Sequence, residues 1–365
     1  MPGLPGGSSQ PHHPAVRGGA AVTSVADAGF GRPMDFQAFL VWSARAGRAD
    51  GVERLCETRI AHAFSCIRPN PPMLEPRVRM HRCDIVRLWC AARALPVPRM
   101  RNALACEGVR HALGLIFSLL ARRGRAIAIP SDVYPVYWKL ATRAGIRAMA
   151  FETFPQFEIE PTLAEATKAD VHTVLLPYPL KLHGRSWTEE EVSIAQTWLA
   201  GQPERRLILD AVYTMGAAAD RLLIRLLECG QVILLDSLSK GWLHEQVFGV
   251  AVVPDADVDL YSEAFRSLQP ENDKLLLAHA LLTTSAETPD RVACELEARR
   301  TSLMARLSKL RLRTLAVSRG YLIPIEVRAE DVLAQQSLMT IPVSVFGSSL
   351  KGWSIASVLA YPAAP

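Results

Sequence analysis

No apolar segment of this sequence is long enough to cross a lipid bilayer. A membrane-spanning helix needs about 18 or more consecutive apolar residues, whereas the apolar segment 113–120 is soon followed by Arg122 and Arg123. The opening residues, MPGLPGGSSQPHHP, also lack the apolar stretch of a signal peptide. We therefore expect a cytoplasmic protein with no membrane partner.

Paired cysteines are missing as well. The 7 cysteines are an odd number, and no two of them form the C-x-x-C pair that common zinc sites use. A disulfide framework requires an even number of cysteines in a secreted chain. The sequence therefore predicts neither a metal site nor disulfide bonds, and we interpret these residues as mostly buried thiols.

A strong excess of charge of one sign is also absent. The net charge of +5 is distributed over 41 basic and 36 acidic residues, so nucleic acid is not an expected partner. With 365 residues, of which 49% are hydrophobic and 21% charged, the chain has the composition of an ordinary globular protein. Single cores stop growing at about 250–300 residues, so we expect two domains.

The sequence pattern divides the chain into four segments. Residues 1–34 are rich in Gly, Pro, Ala and Ser and are predicted to form a disordered tail. Residues 35–98 have helical spacing and are expected to contribute to a small domain or to a dimer interface. Residues 99–258 are predicted to form a large domain, and residues 259–365 a C-terminal small domain.

Within the predicted large domain, apolar runs alternate with helical patterns, which is the signature of β-α-β units. The predicted strands are 126–129, 148–151, 173–176, 207–209, 232–235 and 248–253. The predicted helices are 108–122, 133–142, 221–229 and one that begins at Thr188, with Glu191 placed for a capping box.

The pattern changes after residue 258. Residues 259–318 are predicted to be helical, and residues 321–327 and 341–345 to be short strands. Six basic side chains are predicted to lie on the solvated face of this helical region, namely Arg299, Arg300, Arg306, Lys309, Arg311 and Arg313.

A lysine follows one of the predicted strands in the segment 231–250, QVILLDSLSKGWLHEQVFGV. The uninterrupted apolar run 232–235 is typical of a strand that is buried on both faces. Ser237, Ser239 and Lys240 then lie at the carboxyl edge of a parallel sheet, where α/β proteins place chemistry. Such a lysine is either solvated or a partly desolvated nucleophile that attacks an aldehyde, and this segment alone leaves both readings open.

Asp210 and Tyr213 end another predicted strand, LILDAVY at residues 207–213. On its own, Asp210 would be read as a helix or turn cap. Because it also follows a buried strand, 30 residues before Lys240, it is a candidate anion facing the same cleft.

Five segments in this order resemble motifs of the fold type I pyridoxal-phosphate enzymes, specifically the class I/II aminotransferases. They are the glycine turn ACEGVRHAL (105–113), IPSDVYPVY (129–137), LLPYPLKLHG (175–184), DAVY (210–213) and the lysine motif SLSKG (237–241). The resemblance implies the PLP-dependent transferase fold, which is an α/β fold with a mostly parallel seven-stranded sheet in a large domain and a smaller α+β domain. It also implies a homodimer.

The resemblance implies roles for the residues of these motifs. Lys240 would hold pyridoxal 5'-phosphate as a Schiff base and move the substrate proton as general base and acid. Asp210 would pair with the ring nitrogen, so that the ring becomes an electron sink. Tyr213 would donate a hydrogen bond to the ring hydroxyl oxygen, and Tyr134 would stack on the ring face.

The phosphate of the cofactor would be bound at a helix N-terminus. Backbone N–H groups of Gly108, Val109 and Arg110 would hold it, because the helix dipole favours an anion there. Ser237 and Ser239 would add hydroxyl donors.

Three positions depart from the pattern of the family. Lys181 stands where the family has an asparagine that contacts the ring hydroxyl oxygen. No arginine precedes Gly249 to clamp the phosphate, and we hypothesise that Arg110 supplies this charge; the alternative is that Arg110 is an exposed helix residue. Ile355 occupies the position of the arginine that grips the substrate α-carboxylate.

The sequence thus indicates an aminotransferase-like enzyme that acts on an amine or a modified amino acid, in specialised biosynthesis. A PLP-dependent lyase or cyclase, acting by elimination, replacement or decarboxylation, is a second interpretation because the same carbanion serves all of these reactions. A non-catalytic scaffold of the same fold is a third. Lys240, Asp210 and Tyr213 argue against the scaffold, which has no need of that trio.

Overall fold

The computed structural model describes residues 39, 60–72, 75, 77–95, 100–133, 135–216, 218–244, 248–336 and 338–361. The predicted tail 1–34 and Tyr134 lie outside these described residues, as does most of segment 35–59.

A seven-stranded sheet forms the centre of the molecule, and its spatial order is β1-β7-β6-β5-β4-β2-β3. Four strand pairs are parallel, while β7 is antiparallel to both β6 and β1. The strands are β1 (Ala103–Cys106), β2 (Ala126–Pro130), β3 (Arg147–Phe151), β4 (Thr173–Pro177), β5 (Arg206–Asp210), β6 (Val232–Ser237) and β7 (Gly249–Val252). The predicted mostly parallel seven-stranded sheet is confirmed.

The strands are buried on both faces, as their apolar runs predict. Every residue of β2, β5, β6 and β7 is buried. Burial of apolar surface contributes about 25 cal/mol per Å², so these runs hold the sheet between two helical layers.

Helices cover the sheet and extend into the N- and C-terminal parts. In chain order they are α1 (Ile60–Ala63), α2 (Arg82–Ala92), α3 (Val109–Arg122), α4 (Val136–Ala144), α5 (Ile159–Lys168), α6 (Glu189–Ala200), α7 (Arg221–Glu228), α8 (Leu238–Gly241), α9 (Val258–Phe265), α10 (Asn272–Thr284), α11 (Thr288–Lys309) and α12 (Ala329–Gln336). The predicted capping box is present in α6, where the Thr188 side chain accepts from the Glu191 N–H and the Glu191 side chain accepts from the Thr188 N–H.

The C-terminal part contains a small antiparallel sheet in the order β8-β10-β9. Its strands are β8 (Leu322–Ile325), β9 (Ile341–Pro342) and β10 (Ser354–Ser357). This sheet and α11 share a second hydrophobic core with Phe39 and α1. This small antiparallel sheet with its helices agrees with the smaller α+β part of the predicted fold.

Several elements differ from the sequence predictions. The sequence predicts neither strands β1 and β10 nor helix α5. Of the predicted strand 341–345, only residues 341 and 342 are a strand, and the rest belongs to the 3-10 helix Val343–Phe346. Arg299 and Arg300 are not solvated, since they are 8% and 7% exposed. Arg299 lies over the Phe64 ring at 4.5 Å, and Arg300 donates to the Gly320 carbonyl at 2.8 Å.

The cysteines are free thiols as far as the chain is described. Cys90 and Cys106 are buried, and burial raises the pKa of their thiols to about 11 and about 12. Cys66, Cys83 and Cys294 are exposed, so the expectation of mostly buried thiols is wrong for them. The described residues contain no cluster of metal-ligating side chains, and none of their helices is long and apolar enough to span a membrane.

Candidate active site

A cavity of about 310 Å³ opens at the carboxyl edge of the central sheet. The carboxyl end of β5 contributes Asp210, the end of β6 contributes Ser237, and the segment after β4 contributes Lys181. Phe346 of the C-terminal part also lines it. Parallel strands bring their carboxyl ends to one edge, and this is where the sequence places its polar side chains.

Asp210 is a buried carboxylate in the cavity wall, with 6% of its surface exposed. The Tyr137 hydroxyl donates to its Oδ2 at 2.5 Å, and the Val212 N–H donates to its Oδ1 at 3.2 Å. Burial raises the pKa of Asp210, while these two donors and the charges of Lys181 and Lys240 act in the opposite direction. The carboxylate is thus held by hydrogen bonds and faces two cations.

Lys240 and Lys181 approach the same aromatic ring. The Nζ of Lys240 lies 5.7 Å from the centre of the Tyr213 ring, and the Nζ of Lys181 lies 4.5 Å from it. The Lys181 ammonium also lies 5.8 Å from the Tyr321 ring and 5.9 Å from the Phe346 ring. Aromatic faces attract cations at these distances, so Lys181 is a cation enclosed by rings.

The turn that carries Lys240 is fixed by serine side chains. Ser237 is the N-cap residue of α8, and its Oγ accepts from the Ser239 N–H at 3.4 Å. The two serine hydroxyls are 2.7 Å apart. Both serines line the cavity together with Lys240.

Two backbone segments approach each other closely beside this turn, because each has a glycine at the point of contact. Gly108 precedes α3 with φ of 150°, a conformation that side chains rarely adopt. A Cβ on Gly249 would lie 2.8 Å from the Gly108 Cα. Val109 begins α3, and the exposed Arg110 follows it, so the N-terminus of a 14-residue helix points at the cavity.

A carboxylate next to this glycine turn is neutralised by a lysine. The Nζ of Lys274 lies 2.5 Å from Oε1 of Glu107. The hydrogen bond from Lys274 lowers the pKa of Glu107. The pair therefore adds little net charge beside the helix N-terminus.

Asp132, Thr153 and His183 form a buried network on another wall of the cavity. Asp132 accepts from the Thr153 N–H at 2.7 Å, from the Thr153 hydroxyl at 3.0 Å and from the Phe154 N–H. The Nε2 of His183 lies 2.8 Å from the Thr153 carbonyl oxygen. Burial raises the pKa of Asp132 to about 6 and lowers the pKa of His183 to about 4.

The structure brings together all but one of the residues that the sequence predicts for the site. The residues that line the one cavity are Gly108, Val109, Arg110, Lys181, Asp210, Tyr213, Ser237, Ser239 and Lys240. Tyr134 lies outside the described residues.

The sequence does not single out several further residues that line this cavity, among them Tyr137, Asp132, Thr153, His183 and Phe346. A signal for Tyr137 was present, because it ends the segment 129–137 three positions after Tyr134. Asp132 lies in the same segment and His183 in segment 175–184, whereas no local pattern distinguishes Thr153 and Phe346 from ordinary core or loop residues.

Ile355 lies in the small sheet and is fully buried, with 0% of its surface exposed. It belongs to the hydrophobic core around β8, β9 and β10. It does not line the cavity. A side chain at this position thus packs in the C-terminal core.

Comparison with known proteins gives a family and a fold. The sequence profile of the family "Aminotransferase class I and II" matches residues 81–355. No curated protein matches the sequence.

Solved structures share the fold. A methionine aminotransferase from Escherichia coli is 18% identical with a TM-score of 0.66, over 84% of this chain and 86% of that chain. An aminotransferase from Mycobacterium tuberculosis is 19% identical with a TM-score of 0.64, over 91% and 94% of the two chains. A proposed PLP-dependent β-cystathionase from Corynebacterium diphtheriae is 11% identical with a TM-score of 0.61, over 85% and 84%.

Proposed function

Because the chain belongs to the class I and II aminotransferases, a family of PLP-dependent transferases, we propose that it binds pyridoxal phosphate at Lys240 and transfers an amino group from an amino acid or amine. The single observation that carries this proposal is the meeting of Lys240, Asp210 and Tyr213 on one cavity at the carboxyl edge of the sheet. A scaffold without chemistry has no use for a buried carboxylate facing an amine.

The residues present fit this cofactor. Asp210 is a buried carboxylate in the cavity wall, and a ring N–H would give it a further donor beside Tyr137 and Val212. A Cβ on Gly108 would meet no heavy atom within 4 Å, so this glycine leaves open space for an anion beside the N–H groups that begin α3. When bound, pyridoxal phosphate supplies an electron sink for the pair of electrons left at the substrate carbon.

The side chains of this chain would then do the following. Lys240 would attach the cofactor and move the proton at the substrate carbon, since it is the amine on the turn after β6. Asp210 would accept the ring N–H. Tyr213 would donate to the ring hydroxyl oxygen, with the charge of Lys181 near it. Ser237 and Ser239 would donate to the phosphate.

Arg110 is our candidate for the charge that holds the phosphate. It is the second residue of α3, lines the cavity and is exposed, so its guanidinium is able to reach an anion at the helix N-terminus. Arg110→Ala should weaken cofactor binding by about tenfold, the loss of about 1.4 kcal/mol. Unchanged affinity in a fluorescence titration would assign Arg110 to the exposed helix surface instead.

The substrate is proposed to be an amine or a modified amino acid, in a specialised biosynthetic process. By the resemblance described above, Ile355 stands where the family has its carboxylate-binding arginine, and this side chain is buried in the C-terminal core. An unmodified α-carboxylate therefore lacks its usual bidentate partner. A screen of amino donors by absorption spectroscopy identifies the class. We also propose a homodimer, which light scattering of the purified protein tests.

The decisive experiment combines spectroscopy with a lysine variant. The purified protein should show a visible absorption band of lysine-bound pyridoxal phosphate, which Lys240→Ala abolishes. Lys139→Ala, a change to an exposed lysine on α4, is the matched control and should keep the band. If the unaltered protein shows no such band after treatment with excess pyridoxal phosphate, the remaining interpretation is a non-catalytic scaffold of the same fold.

A second measurement separates transamination from lyase chemistry. An amino donor should convert the bound cofactor to its pyridoxamine form without release of ammonia or carbon dioxide. Release of either product would favour elimination or decarboxylation, which the same residues are able to support.

A further inference from the structure

A buried ion pair lies behind the proposed cofactor site. The Nε of Arg93 is 2.9 Å from Oδ2 of Asp236, and the two side chains are 5% and 3% exposed. Arg93 is the C-cap residue of α2, whereas Asp236 is the fifth residue of β6. Neither residue lines the cavity, so the mechanism above does not use them.

Arg93 also binds the loop that follows β5. Its guanidinium donates to the Gly216 carbonyl oxygen and to the Thr214 hydroxyl. Its own carbonyl oxygen accepts from the Ala219 N–H at 2.7 Å. Because Thr214 directly follows Tyr213, these contacts hold the segment that presents the Tyr213 ring to the cavity.

Asp236 contacts the last residue of β6, from which the Lys240 turn begins. Its Oδ1 accepts from the Ser237 N–H at 2.7 Å. Ser237 in turn caps the four-residue helix that contains Lys240. The ion pair therefore joins the two segments that carry Tyr213 and Lys240.

We propose that Arg93 is a positioning residue, whose guanidinium holds the Tyr213 segment and the Lys240 segment in register for attachment of pyridoxal phosphate. This inference rests on the function proposed above for its cofactor. The planar guanidinium donates in several directions at once, and a lysine ammonium does not reproduce this fork. Arg93 also balances the charge of Asp236, which is costly to bury alone.

The variants separate positioning from charge balance. Arg93→Met leaves Asp236 without its cation, so the double variant Arg93→Met/Asp236→Asn removes both charges together. Arg93→Lys keeps a cation at position 93 and covers the case in which the double variant does not fold. Each is treated with pyridoxal phosphate and borohydride, and the label on the Lys240 peptide is measured by mass spectrometry.

We expect the affinity for pyridoxal phosphate to fall by about tenfold to a hundredfold in the double variant and in Arg93→Lys, since misplaced groups cost this much. The matched control is Arg206→Met/Asp257→Asn, which removes another ion pair (Nε to Oδ2, 2.5 Å) at the opposite edge of the same sheet. The control should keep the affinity of the unaltered protein. Attachment by the double variant at unaltered affinity would reduce Arg93 to a counter-ion and overturn the proposal.

A measurement without cofactor keeps this test independent of the proposed function. Amide hydrogen exchange should be at least about tenfold faster in segments 211–219 and 237–242 of the double variant than in the Arg206→Met/Asp257→Asn control, because the contacts that close these segments are gone. Unchanged exchange there overturns the positioning role. If the unaltered protein fails to attach pyridoxal phosphate, the proposed function fails, and the exchange result alone decides the role of Arg93.

Discussion

The Tyr137 hydroxyl donates a hydrogen bond to Asp210 at the carboxyl edge of the sheet, and this bond lowers the pKa of the carboxyl group. Burial raises the pKa of Asp210, and the Tyr137 hydroxyl is the largest of the effects that lower it. A hydrogen bond to a charged group contributes about 1.5–3 kcal/mol. The phenol therefore favours the ionised form, which is the form that would pair with the ring N–H in the function proposed above.

Removal of that hydroxyl should weaken the proposed cofactor site. In Tyr137→Phe the pKa of Asp210 rises, and we expect the affinity for pyridoxal phosphate to fall by about tenfold, or 1.4 kcal/mol. Tyr261→Phe alters another buried phenol, on α9, and serves as the control. Equal affinity in the two variants, measured by fluorescence titration, would show that Tyr137 has no influence on Asp210.

Asp132 and His183 both contact Thr153, but their pH dependences have opposite signs. The pKa of Asp132 is raised from 3.8 to about 6, so its contribution to stability is greatest at low pH and is lost as pH rises through 6. The pKa of His183 is lowered from 6.5 to about 4, so its contribution is present above pH 6.5 and is lost as pH falls through 4. Each effect is on the order of 3 kcal/mol.

In the unaltered protein the two opposite pH dependences of stability cancel, so variants that remove one of the two groups should reveal the other. Between pH 6.5 and 4, Asp132→Asn should lose about 3 kcal/mol more stability than the unaltered protein, since only the histidine effect remains. His183→Gln should lose about 3 kcal/mol less, for the opposite reason. Urea unfolding at several pH values checks this. Three curves that run parallel over this range would contradict it.

At the level of elements, the approach of β7 to the glycine turn depends on the absence of a side chain. A Cβ on Gly249 would meet the Gly108 Cα at 2.8 Å, and the Asp236 carbonyl oxygen and the Cys106 Sγ at 3.1 Å. Backbone atoms are not free to move aside in the middle of a sheet, so a methyl group here forces the strands apart.

Gly249→Ala should therefore destabilise the protein by about 1–3 kcal/mol and weaken pyridoxal phosphate binding with it. Gly114→Ala provides the comparison, because Gly114 lies inside α3 and its Cβ would make an ordinary contact with Leu140 of α4 at 3.6 Å. That change should be neutral or stabilise by about 0.5–1 kcal/mol. Thermal unfolding of the two variants measures the difference, and equal melting temperatures would refute the steric argument.

The elements that the sequence predicts share a strong local pattern. Strands β2, β4, β5 and β6 each contain an uninterrupted apolar run, and Thr188 with Glu191 marks the start of α6. Strand β1 has only four residues and pairs with β7, far along the chain, so no local pattern defines it. Helix α5 contains Pro161 in its first turn, and a proline there makes the sequence resemble a loop.

The sequence predicts those residues of the candidate site that stand at the ends of strands. Lys240 and Asp210 stand at the ends of apolar runs, and the parallel sheet brings such ends together. Arg93 lies in a segment with no distinguishing motif, and its contacts with Thr214 and Asp236 depend on tertiary packing. Asp132 and His183 likewise meet only through Thr153, which belongs to the segment after β3.

At the scale of the whole molecule, the C-terminal core determines what position 355 tolerates. Ile355→Arg would not restore a carboxylate clamp, because the residue is buried among apolar side chains and does not line the cavity. An unpaired buried charge should cost about 4 kcal/mol or more, whereas Ile355→Val should cost about 0.5–1.5 kcal/mol. Urea unfolding measures both. An arginine variant of normal stability that binds carboxylates more tightly would refute this.

The pairing of Ala103 with Val252 has a consequence for synthesis of the chain. Strand β1 leaves the ribosome well before its partner strand exists, so the segment with Gly108 has to wait for Gly249 before the two glycines can meet. Domains generally fold as units during translation. A nascent chain that stops before β7 would thus contain Asp210 and Lys240 but not the contact between the two glycines, so the proposed cofactor pocket is completed late in synthesis.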